Sequence, residues 1–163
     1  MEPTEVLQSY FSTKTGFLTQ AVKLQAGYAH VTDRFGRFAR NVDECGADPQ
    51  FFREIVKVDL AALDQHLVTL TVFGVDQLRL CLDVIRREDE VRGQVTCYFI
   101  HGYQRAQPDQ QVQPTEIARW TFGEDGMTDI KLGASRDLLD MREPKHAVAV
   151  VVVLILVAYA APV

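Results

Sequence analysis

The residues able to do chemistry are few and scattered. Cys97 and His101 are a nucleophile and a base four positions apart. On a strand such positions share a face but stand about 13 Å apart, beyond the reach of a dyad. A buried thiol and a strand-end imidazole are the better reading, since free cysteine is among the most buried residue types. Asp64 and His66 are two apart and do not face each other on a helix, which predicts surface positions. Glu88, Asp89 and Glu90 form a charged turn, as do Glu124 and Asp125 between glycines. Neither has the ligand run of a calcium loop. Asp137, Asp140 and Glu143 alternate with Arg136, Arg142 and Lys145, as solvated ion pairs do. There is no glycine-rich phosphate loop, no Gly-x-Ser-x-Gly elbow and no His-x-x-x-His. No catalytic residue, metal site or cofactor is expected.

Composition sets the frame. The chain has 163 residues, enough for one domain with a proper core. Its net charge of −5 argues against a nucleic-acid surface. Three cysteines, Cys45, Cys81 and Cys97, make neither a metal spacing nor an even disulfide set. The acidic start, Met1 to Glu5, lacks the apolar core of a secretory signal. A cytoplasmic, reducing compartment is the expectation.

The elements that would position any site start with helices. Thr4 can cap a short first turn, and Ser12 to Gly16 interrupts it. Phe17, Ala21, Leu24, Tyr28, Val31, Phe35, Phe38, Val42 and Cys45 then alternate spacings of four and three. That is an apolar stripe at heptad spacing along one helix face. It either packs on the domain's own sheet or serves as an interaction face, with Phe17, Leu24, Tyr28, Val31, Phe35 and Phe38 its large members. Gly27 and Gly36 within it would let another backbone approach closely. Asp48-Pro49 reads as the cap and first turn of a second long helix, carrying Phe52, Val56, Leu60, Leu63, Leu67 and Leu70. Val68, Leu70 and Val72 also alternate as a strand would, so the end of this helix stays open.

From Gln77 the period becomes two. Leu78, Leu80, Leu82 and Val84 form one apolar face, and Val95, Cys97 and Phe99 return it. This is a β-hairpin turning at Arg87 to Glu90. Both apolar faces must meet one core, so paired residue numbers should sum to an odd value. Cys97 is then inward and Cys81 outward, with no disulfide between them. Gln104 to Pro114 reads as a surface loop. Strands follow over Glu116–Phe122 and Met127–Leu132, joined by a turn at Gly123 to Gly126. Ser135 can cap a helical turn through Leu138, Leu139 and Met141, broken by Pro144.

The C-terminal run, Ala147 to Ala161, holds fifteen residues without a charge. A helix of that length is roughly 22 Å long. A bilayer core is about 30 Å thick. Six valines and an isoleucine favour a strand, covered on both faces, over Val148–Val157. Membrane anchoring by this tail is the alternative.

The fold class is therefore α+β: two long N-terminal helices on a mostly antiparallel sheet of about five strands, with the C-terminal run as a central strand. The expected function is a non-catalytic protein–protein interaction or adaptor domain. It would bind a protein partner or self-associate through the N-terminal helix. The alternative is a small enzyme or ligand-binding domain with a pocket between helices and sheet, lined by Asp83, Tyr98, His101 and Trp120. The order of long helix, Asp-Pro-started helix and hairpin over Leu78 to Phe99 resembles the HORMA family, adaptors that trap a partner peptide. The likeness covers roughly residues 30–100, without a diagnostic motif, and implies a peptide partner.

Overall fold

The computed structural model describes residues 2–11, 14–45, 55–103, 113–133 and 137–160. A short helix α1 (Pro3–Phe11) leads to the 32-residue helix α2 (Lys14–Cys45). Seven strands follow: β1 (Val56–Asp59), β2 (Leu67–Val72), β3 (Asp76–Arg87), β4 (Glu90–Ile100), β5 (Thr115–Phe122), β6 (Met127–Lys131) and β7 (Leu138–Asp140). A single 3₁₀ turn, Leu63–Gln65, lies between β1 and β2. Helix α3 (Pro144–Ala160) closes the described chain. The strands pair antiparallel in sequence order, as one meander.

The register decides which side chains are inside. Every β3–β4 pair, from Gln77↔Ile100 to Arg87↔Glu90, has an odd sum, as the hairpin pattern requires. Leu80 faces Cys97, and both are fully buried. Cys81 pairs with Thr96 on the other face, half-buried, and both cysteines are free thiols. Between β4 and β5 the pairing skips Ile117, a bulge that keeps Trp120 and Phe122 on the core face. The core face thus gathers Val68, Leu70, Leu78, Leu80, Leu82, Val95, Cys97, Trp120 and Phe122. Helices α2 and α3 cover it, as a two-layer domain demands. The opposite face of the sheet is polar and uncovered by any described element, with Arg79, Asp83, Gln94 and Arg119 along it.

Three expectations are corrected. The C-terminal run is a helix, not a central strand. Pro144 opens it, in the first turn, where its missing N–H would have no intrahelical partner and its fixed φ suits the helix. Glu143 O accepts from His146 N and Ala147 N. His146 Nδ1 accepts from Asp140 N at 2.9 Å. The β-branched residues disfavour a helix by only tenths of a kcal/mol each, less than their burial provides. Ala147, Val151, Leu154 and Ala158, spaced as one helix face, fill the core.

The second long N-terminal helix is likewise absent over its described part. Residues 46–54, with Asp48-Pro49, lie outside the described residues. Val56 to Val72 forms β1 and β2 instead, where Val68, Leu70 and Val72 alternate inward. One of the three elements behind the HORMA resemblance is therefore replaced by strands. Finally, Leu138 to Asp140 is strand β7 rather than a helical turn; Ser135 is outside the described residues. With the C-terminal strand lost and β1, β2 and β7 gained, the sheet has seven strands rather than about five. The loop expected over Gln104 to Pro114 lies outside the described residues as far as Val112.

Candidate interaction surfaces

The four residues proposed to line a pocket do not converge. Trp120 is in the core, where its Nε1–H donates to Met141 Sδ at 3.4 Å and Phe38 meets its ring edge-on. Asp83 and Tyr98 lie on the open sheet face, near Arg119. That guanidinium already donates to Glu116 at 2.7 Å, which raises its pKa, with smaller contributions from Tyr98 and Asp83. His101 stands at the end of β4, largely exposed. Cys97 is too deep for a nucleophile: burial, with a lesser contribution from Cys81, pushes its thiol up to about 12. Burial likewise raises Cys81, ahead of the nearby Asp83 charge.

His101 does join a polar cluster that its sequence neighbours do not reveal. Asp76, the buried first residue of β3, accepts from the Gly102 N–H at 2.7 Å. His101 Nδ1 lies 3.1 Å from that same oxygen, Oδ1, and the Tyr159 hydroxyl donates to Oδ2. Burial first, then the Asp76 hydrogen bond and charge, push the Tyr159 hydroxyl well above its ordinary pKa. Tyr159 is thus fixed as a donor, and the carboxylate that could have acted as a base is occupied. Its ring meets Phe73 and Phe99 edge-on at 5.3 and 5.5 Å. The cluster ties the last turn of α3 to the β2–β3 turn and the end of β4. One signal for it was present in the sequence: a tyrosine inside an apolar run needs a partner for its hydroxyl.

A groove of about 510 Å³ runs between α2 and the 3₁₀ turn, with Asp33, Arg40, Asp64 and His66 among apolar Ala29, Phe35 and Leu63. Asp64 is exposed as expected, while His66 is half-buried against Tyr28. Among the described residues no group of three or more His, Cys, Asp or Glu could hold a metal. No described helix is long and apolar enough to cross a membrane.

The heptad stripe of α2 splits in two. Val31, Phe35, Phe38 and Val42 are buried in the chain's own core. From residue 18 to 26 every position is exposed. Leu24 and Tyr28 of the stripe are open to solvent there, and so are the adjacent Leu18 and Val22, at 62% and 65%. The side chains of Phe17 and Cys45 lie outside the described residues. The changeover falls at Gly27, where an added Cβ would stand 2.9 Å from Val91 at the rim of the sheet. Gly36, by contrast, meets only Arg40 of its own helix. Beyond Gly27 the helix runs off the sheet as an arm. Comparison with protein-family models, curated proteins and solved structures finds no match for this chain.

Proposed function

We propose that the protein is a non-catalytic interaction domain that docks another polypeptide along the N-terminal arm of α2. One observation supports this reading: the apolar stripe continues at heptad spacing past the sheet, where its Ala21 and Leu24 are uncovered, with Leu18 and Val22 beside them. A 3.5-residue period is the seam that a second helix fills. Apolar groups held in water this way mark contact sites. Covering the exposed parts of Leu18, Val22 and Leu24 would contribute about 0.5–2 kcal/mol each, before the cost of association. Among the described residues, Cys97 is too buried to act as a nucleophile, and Asp76 already accepts from Gly102 and Tyr159.

A photoreactive amino acid at position 22, compared with one at the exposed Arg37 on the body, tests this in cells that make the protein. Position 22 should give one discrete heavier adduct and position 37 none. An adduct of twice the chain mass would identify self-association as the mode. No adduct at 22, or equal adducts at both positions, overturns the proposal.

A further inference from the structure

Helix α3 is apolar on both sides, and only one side is covered. Ala147, Val151, Leu154 and Ala158 face the core. Half a turn away, Ala149, Val153, Leu156 and Ala160 face solvent, with Val153 55% and Leu156 64% exposed. Helix α2, in the same layer, instead presents Asp33, Arg37, Arg40, Asp43 and Glu44 outward. The uncharged outer surface is thus a property of α3, not of the layer. Phe73 extends it. This residue sits in the left-handed region at φ 52, its ring 53% exposed and edge-on to Tyr159 at the end of α3. Such a conformation is costly for a bulky side chain and holds the ring outward.

We propose that α3 is a self-pairing face, on which two copies of the chain pack their α3 helices antiparallel across a two-fold axis. Ala149 would meet the partner's Ala160, and Val153 the partner's Leu156. The exposed residues are spaced four, three and four, the alternation of a helix–helix seam. Read backwards the spacing is the same, so the seam matches itself across an antiparallel two-fold. Alanine at both ends lets the backbones close in, and Val and Leu fill the middle. Antiparallel helices also oppose their dipoles favourably.

The area agrees. If fully covered, the exposed parts of these residues, with Val157, Tyr159 and Phe73, would remove roughly 500 Å² per copy. Two copies would bury about 1,000 Å², the lower bound of a specific interface. A bilayer surface fits less well. Interfacial helices carry rows of Lys and Arg opposite the apolar face. Opposite this face lies the protein core, and Lys145 and His146 in the first turn are the only basic residues of α3.

Sedimentation of the full chain tests the pairing independently of the α2 arm. At micromolar concentration the wild type and Val22→Glu should be dimers, and Leu156→Glu a monomer. Ala149→Cys mixed with Ala160→Cys, read against wild type for the native thiols, should cross-link on oxidation far faster than either variant alone. That cross-link also decides the matter should Leu156→Glu fail to fold. A monomeric wild type overturns the proposal. So does a dimer lost in Val22→Glu but kept in Leu156→Glu, or preferential Ala149→Cys self-cross-linking. Flotation of monomeric wild type with phosphatidylcholine vesicles would assign the face to a membrane and overturn it as well.

Discussion

Gly93 sits where β4, β5 and α2 press together. A Cβ there would stand 2.4 and 2.5 Å from ring atoms of Phe122 and 2.9 Å from Val31. Both neighbours are fully buried, so neither can swing away. Overpacking of this kind costs about 1–3 kcal/mol. Gly93→Ala should lower the unfolding free energy by that amount, read as a lower urea midpoint at an unchanged slope, as a change in native stability does. An unaltered midpoint would mean that α2 does not lie against β4. The sequence alone could not single out this glycine, because its two neighbours are 29 and 62 positions away. Cys97 was legible because its facing follows from strand parity, a local property. Asp76 and Tyr159 were not, because 83 positions separate them.

At the scale of elements, α2 is one helix with two jobs, and its halves should respond differently to charge. Phe35 is 1% exposed and belongs to the core. Phe35→Glu buries an unpaired carboxylate and should cost more than about 4 kcal/mol, abolishing the cooperative melt in circular dichroism. Val22→Glu, on the arm, should change stability by less than about 0.5 kcal/mol. Equal effects at both positions would mean that the arm packs on its own domain. Heptad spacing made the helix legible but not its division, since the same residue types serve a core and a surface seam. The apolar C-terminal run reads as a strand but folds as a helix for a related reason. A run without polar residues has no period to read, and β-branched content tipped the balance toward a strand. The core shows the reason for the helix: the sheet needs a second cover beside α2, and among the described residues α3 supplies it.

For the whole molecule, the meander makes nearly all strand pairing local, and the chain's ends provide the long-range closure. The seven strands follow in order, so each hairpin forms between neighbours. The α2 and α3 helices then cover the sheet from opposite sides of the strands in sequence, and Asn41 of α2 donates to the Arg142 carbonyl just before α3 at 3.2 Å. Such a sheet cannot hold itself with one face half bare. Removing residues 146–163 deletes Ala147, Val151, Leu154 and Ala158 from the core, and with them the partly buried Val148, Val150, Val152 and Ile155. Each buried Val, Leu or Ile contributes about 1.5–3 kcal/mol, and a typical domain has only about 5–15 kcal/mol in total. The same cut removes the hydroxyl that Tyr159 donates to buried Asp76. The truncated chain should therefore be insoluble or bind a hydrophobic dye without a cooperative melt. A truncated protein that melts sharply would show that α3 is an appendage of the sheet rather than half of its cover.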